Sequence, residues 1–225
     1  MATRTAVRPT LSSERILDAA LALIDSEGDA SLTFRRLGGQ LGADPTAVYR
    51  YFRNKDELLL ALADRVIDRA LDAIPENADW RQTLRSLAVE SYRSLLLHPR
   101  LAILVAARTT QGEAEARAIE RVLEALHRAG FSPQEAVGIW RAFADTMLAW
   151  AGLSAAFLSL PVDTRAKDVS AWTHSYQLVS ADQFPHLHRA GPYLADAEVN
   201  DPFHLAVEIM LDGIAARLSP ETGAK

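Results

Sequence analysis

Residues 32–58 read Leu32-Thr33-Phe34-Arg35-Arg36-Leu37-Gly38-Gly39-Gln40-Leu41-Gly42-Ala43-Asp44-Pro45-Thr46-Ala47-Val48-Tyr49-Arg50-Tyr51-Phe52-Arg53-Asn54-Lys55-Asp56-Glu57-Leu58. Thr33 is placed to cap a short helix of about 33–41 that turns Phe34, Leu37 and Leu41 inward, with Gly42 as its stop. Asp44-Pro45 opens the next helix, because an N-cap acid is followed by proline at the one position where its missing N–H costs nothing. That helix is expected to run through Val48 to about Tyr51 or Phe52. Two short helices joined by Gly42-Ala43-Asp44, with a third in front, have the spacing of a helix-turn-helix. A plain three-helix bundle would show the same helix pattern.

Surface chemistry separates the two. The solvent face of the third helix would carry Pro45, Thr46, Ala47, Tyr49 and Arg50, with Tyr51 and Lys55 close behind, and Asp44 is the one acid between Arg35 and Lys55. Small residues at 46 and 47 let backbone approach base edges, and the methyl and hydroxyl of Thr46 can each read a base. Tyrosine hydroxyls, and a lysine at the start of the following helix, suit phosphate oxygens.

Outward from this stretch the period stays helical almost everywhere, so the chain is expected to be all-α. Residues 13–27 place Ile16, Leu17, Ala20, Leu21, Leu23 and Ile24 on one stripe, with Ser12 or Ser13 as cap and Gly28 as stop. Further helices are expected at 55–73, 79–97, 100–107, 113–129, 133–160, 163–179 and 202–218. Pro185, Gly191 and Pro192 mark 181–201 as a loop with at most one helical turn. The domain plan is a basic arm at 1–10 holding Arg4 and Arg8, a reader at 11–62 and a larger helical part at 63–225.

The chain has 225 residues, 49% hydrophobic and 24% charged, enough for a real core. It has no cysteine, which removes disulfides, a thiolate nucleophile and Cys-based metal sites and fits a cytoplasmic setting. The net charge of −5 argues against coating nucleic acid by charge alone. That average hides a gradient, since residues 1–53 carry +1 and the remainder −6. No apolar segment follows Arg4 and Arg8 to make a signal peptide. The longest uncharged stretch, Thr146–Val162, is broken by Gly152, Ser154, Ser159 and Pro161 and reads as a core or interface helix rather than a membrane span.

The run 32–58, with the helix before it, resembles the DNA-binding signature of the tetracycline-repressor (TetR) family of bacterial transcription regulators over about 11–62. The resemblance implies an N-terminal helix-turn-helix joined to a C-terminal helical ligand-binding and dimerisation domain. It implies that Thr33, Tyr49, Tyr51 and Lys55 hold phosphates while Arg35 and Pro45, Thr46 and Ala47 face bases. Gly38-Gly39 stands where small Ala-type residues are usual, at a cost of roughly 0.5–1 kcal/mol per glycine, and Tyr51 stands where His is commoner. Gly130–Ala136 and Phe203–Ile214 look like the C-terminal domain of the tetracycline-repressor subgroup, whose long eighth helix and last helix pair across a two-fold axis. Helix 133–160 is apolar on more than one face, and Gly138, Ala144, Ala151, Gly152 and Ala155 permit close helix approach, so a homodimer is expected. The partners implied are double-stranded operator DNA, a small-molecule effector and a second copy, with no membrane and no cofactor.

Candidates for an apolar effector cavity are Tyr92, Leu96, Leu104, Arg108, Trp140, Phe143, Met147, Trp150 and Trp172. Each of these would serve equally as core or interface filler. Arg108 ends the apolar run 101–107 and either neutralises an anionic effector or points to solvent. Helix 100–107 has no His, so the resemblance does not extend to a metal-chelated tetracycline. No catalytic reading competes. His186 and His188, with Asp182 and His204, lack zinc-hydrolase spacing, and the chain has no phosphate loop or Gly-x-Ser-x-Gly elbow. The rival to a regulator is a dimeric helical small-molecule-binding protein without DNA function.

Overall fold

The α2–α3 turn is built as tightly as the sequence requires. In the computed structural model, which describes residues 10–194 and 202–218, helix α2 spans Phe34–Leu41 and α3 spans Pro45–Val48. Gly42 closes α2 at φ +64°, a left-handed conformation that favours glycine. A Cβ on Gly38 would stand 2.8 Å from Ala43 O, so glycine there allows α2 to lie against the turn. Gly39 has nothing within 4 Å of a Cβ and keeps only the propensity cost. Gly39→Ala should therefore raise stability by about 0.5–1 kcal/mol while Gly38→Ala gains less. Thermal unfolding of the two variants beside the parent checks the order, and an equal gain would refute the close approach.

Helix α3 is shorter than its sequence suggests. After Val48 the backbone tightens into i→i+3 bonds, Arg50 N to Ala47 O at 3.4 Å and Tyr51 N to Val48 O at 3.0 Å. Ahead of it, α1 (Ser13–Glu27) is capped by Ser12, whose side chain accepts from Arg15 N. Behind it, Asn54 caps α4 (Lys55–Asp72) by accepting from Glu57 N. The remaining helices are α5 (Trp80–Leu96), α6 (Pro99–Val105), α7 (Glu113–Ala129), α8 (Pro133–Leu158), α9 (Val162–Thr173), α10 (Pro185–Leu194) and α11 (Pro202–Leu218). Every regular element among the described residues is a helix.

Two expectations are corrected here. The helix expected at 163–179 stops at Thr173 and continues only as a 3₁₀ turn over Ser175–Leu178. The expected loop contains α10, because Pro185 occupies a first-turn position, where proline is tolerated, and a Cβ on Gly191 would lie 3.2 Å from Gln177 Cα. Arg4 and Arg8 lie outside the described residues.

Two apolar cores share helix α4. Leu58, Leu59, Leu62, Ala63 and Val66 join the core of α1–α3, which also takes Leu101, Ala102 and Val105 of α6 and Ala151 and Ala155 of α8. One to two turns on, Ala70 and Leu71 enter a second core made by α5, α7, α8 and α11. A rigid rod spanning both cores carries displacement from one to the other. Gly152, together with Ala151 and Ala155, serves this intramolecular contact, since a Cβ on Gly152 would meet Ala106 Cβ at 3.0 Å. Their small size admits α6 rather than a second copy, which corrects the expectation for these three.

A charged clamp fastens α11 to α5. Arg85 grips Glu208 through two bonds, 2.5 and 2.8 Å, and Arg81 reaches both Glu208 (2.9 Å) and Asp212 (2.5 Å). Hydrogen bonds from Arg85 lower the Glu208 carboxyl from 4.5 to about 2. A depressed carboxylate stabilises the fold above its unfolded value and loses that contribution as pH falls through the folded value. Glu208→Gln should cost on the order of 1 kcal/mol at neutral pH, discounted for solvent screening. The gap between variant and parent should close between about pH 4.5 and about 2, as read from unfolding midpoints over that range.

Candidate nucleic-acid interface and effector cavity

Reader geometry follows from which residues the three-helix core absorbs. Phe34, Leu37, Val48 and Phe52 are buried, which forces Arg35, Thr46, Tyr49, Arg50 and Tyr51 outward. Pro45 and Ala47 are half-buried at the base of the same surface. Thr33 accepts from Arg36 N at 3.2 Å and is exposed at the edge of α2. Tyr49 is 57% exposed, with its ring edge held against Phe34 at 4.6 Å between centroids. Asp44, the one acid here, is occupied by its cap: Thr46 N (2.8 Å) and Thr46 Oγ1 (2.6 Å) both donate to Oδ1, and these bonds lower its pKa. The Thr46 hydroxyl proton therefore points back at Asp44, which leaves oxygen lone pairs and a methyl group to read bases.

Tyr51 and Lys55 already have partners. Tyr51 OH donates to Leu11 O at 2.6 Å, and Lys55 Nζ donates to Asp29 O at 2.5 Å and pairs with Asp29 Oδ2 at 3.2 Å. Both groups are held at the surface in defined positions, and exposed contacts of this kind are weak enough to exchange for a phosphate.

A second feature lies between α4, α5, α7 and α8. A cavity of about 540 Å³ is lined by Ile67, Leu87, Ala88, Ser91, Ile119, Trp140, Phe143, Met147 and Leu148, with Arg108, Thr109, Glu115, Arg141 and Asp145 among its polar lining. This size and mostly apolar lining suit a drug-sized ligand. Of the residues proposed from sequence, Arg108, Trp140, Phe143 and Met147 line it. Tyr92, Leu96, Leu104 and Trp172 lie outside its lining. Tyr92 stacks on Phe203 at 3.7 Å and donates to Ser154 Oγ at 3.0 Å. Leu96 and Leu104 pack on the reader core, Trp150 packs on the second core, and Trp172 is 58% exposed against Tyr176.

Sequence reading missed Ile67, Leu87, Ala88 and Ser91, whose helical spacing on α4 and α5 marks an inward face without saying that the face borders a cavity. Arg108 lines the cavity, and its guanidinium forms a two-bond pair with Asp56 of α4 at 2.8 and 2.9 Å. His98, just before α6, bonds Asp25 of α1 at 2.7 Å.

A surface-displayed helix-turn-helix on a helical domain with a ligand-sized cavity defines the class of a ligand-responsive DNA-binding regulator. The family description "Bacterial regulatory proteins, tetR family" matches residues 16–62, and "Tetracyclin repressor-like, C-terminal domain" matches 74–218. The chain belongs to the TetR family. It is 33% identical over 141 residues to an HTH-type transcriptional repressor of Mycobacterium tuberculosis, covering 60% of this chain and 54% of that protein. The chain thus spans about half the length of such curated relatives. It is 29% identical over 209 residues, 92% of each chain, to the tetracycline repressor protein class A from transposon 1721 of Escherichia coli. A solved TetR variant from Acinetobacter baumannii in complex with minocycline is 26% identical, with TM-score 0.67 over 96% of this chain and 99% of that one. Members of this family bind DNA and small-molecule ligands, typically as dimers, and are regulators rather than enzymes. No single helix among the described residues is long and apolar enough to cross a membrane.

Proposed function

We propose that the chain is a repressor that binds a near-palindromic operator as a homodimer and is released from it by a small molecule. The observation that carries this reading is the outward display of Thr33, Arg35, Thr46, Tyr49, Tyr51 and Lys55 around a capped α3, with Pro45 and Ala47 beneath them. Residues 11–62 act as the reader, in which Thr33, Tyr49, Tyr51 and Lys55 take phosphates while Arg35 and 45–47 face bases. Residues 63–225 hold the effector and the second copy.

Support for the dimer comes from two helix faces that the protomer leaves in water. Leu205, Ile209, Gly213 and Ala216 share one exposed face of α11, and Leu153 and Phe157 lie exposed on α8. Covering these with the same faces of a second copy buries apolar area at a two-fold axis. Two α3 helices about 34–36 Å apart would then enter successive major grooves. The cavity supports an effector, and the Acinetobacter relative shows the fold holding a drug-sized molecule.

The test is binding to a DNA fragment from upstream of the protein's own gene at two salt concentrations. Specific binding that falls steeply with salt is expected, and binding indistinguishable from that to unrelated DNA would refute the reading.

A further inference from the structure

We propose that the effector is an anion and that its charged group competes with Asp56 for Arg108, so that ligand capture unlatches the first turn of α4. The inference rests on the regulator reading for its consequence and on the Arg108–Asp56 geometry for its chemistry.

Arg108 stands at a boundary. It lines the apolar cavity, yet its partner Asp56 lies outside that lining, one residue from Lys55 in the first turn of α4. Arg141, the other cation of the cavity wall, pairs with Asp145 within its own helix at 2.8 Å, and Glu115 accepts from Gln111 N at 2.8 Å, so neither side-chain contact links the cavity to α4. Arg108 is thus the cation of the cavity wall whose guanidinium bonds lead to α4. Its pair with Asp56 is solvent-exposed, 39% and 58% by side chain, and exposed pairs are weak. A carboxylate or sulfonate delivered by an apolar ring system would meet the same guanidinium in drier surroundings, where a charge-assisted two-bond contact is stronger.

The segment after α6 is built to transmit the exchange. Asp64, two turns further along α4, accepts from Ala114 N (3.1 Å), Glu115 N (2.9 Å) and Thr110 Oγ1 (2.9 Å). A Cβ on Gly112 would lie 2.2 Å from the Asp64 carboxyl carbon, so the segment is pressed against α4 there. That end is held to α4 through Asp64, and the Arg108 side chain is held to α4 through its exposed pair with Asp56. Drawing Arg108 inward strips Asp56 of its partner beside the lysine assigned to phosphate.

The test uses a matched pair of dyes, anilinonaphthalene sulfonate and phenylnaphthylamine, which share a ring system and differ by the sulfonate. The full chain should bind the anionic dye at least about fivefold more tightly, and that dye alone should release operator DNA. Arg108→Gln should abolish the preference. Asp56→Asn, which removes the competitor, should tighten anionic-dye binding about fivefold and leave the neutral dye unchanged. Equal affinity for the two dyes, a preference that survives Arg108→Gln, or an unchanged anionic affinity in Asp56→Asn would each overturn the proposal. The dye titrations need no DNA, so a protein that shows them but binds no operator would defeat the regulator reading and leave the anion site standing.

Discussion

Leu153→Glu combined with Ile209→Glu should yield a folded monomer whose operator affinity has fallen by about a thousandfold or more, to the level of non-specific binding. Both side chains are more than 60% exposed in the protomer, so a charge at either position meets water and costs the fold little. In a dimer closed across α8 and α11 the same carboxylates would be buried against their symmetry copies, an unpaired like-charge contact that two-fold symmetry repeats. Specific recognition is lost with the dimer because one three-helix reader contacts only a half-site. Sedimentation or light scattering at micromolar concentration, with DNA binding on the same samples, checks both parts. A variant that stays dimeric would place the interface elsewhere, and a monomer with undiminished affinity would dismiss the paired-reader geometry.

The second large effect is expected at the reader surface. Tyr49→Phe, Tyr51→Ala and Lys55→Ala should each weaken operator binding about tenfold to a hundredfold, since a dimer loses two contacts of about 1 kcal/mol apiece or somewhat more. Each leaves the core intact: Tyr49→Phe keeps the ring against Phe34, and the others remove surface contacts to Leu11 and Asp29. Lys55→Ala should also flatten the salt dependence, by about one unit of slope per protomer. Thr46→Val is different in kind, because it keeps the methyl contact and deletes the oxygen. It should shift base preference at the contacted position by roughly 1–3 kcal/mol while leaving affinity for non-specific DNA unchanged. Unchanged binding in all three phosphate variants would refute the contact assignment, and an unchanged site preference would do the same for Thr46.

The reader was legible because its signals are local. Caps at Ser12, Thr33 and Asp44, a left-handed glycine at 42 and the period of buried Phe34, Leu37 and Val48 are properties of a few neighbouring residues, and those residues alone decide which side chains face out. Glycine 38 was misread as a propensity cost because its reason, an approach to Ala43 O, involves the following turn. Helix α10 was missed because proline and glycine signal both loops and helix starts, and only its contact with Gln177 decides between them.

The cavity was half legible. Apolar period identifies residues that leave water, but it does not distinguish those that touch one another, such as Tyr92 on Phe203, from those that border empty space, such as Trp140 and Met147. That distinction depends on how closely α5, α7 and α8 approach, which is fixed by side-chain volumes summed over several helices. Arg108 and Asp56, 52 residues apart, show the same limit for charge. Sequence alone determined the helical class, the helix-turn-helix and its outward-facing chemistry, because capping and periodicity act over one or two turns. Tertiary structure alone decided that an arginine at the cavity holds the first turn of α4, because a contact between distant segments exists only once both cores have closed around that helix.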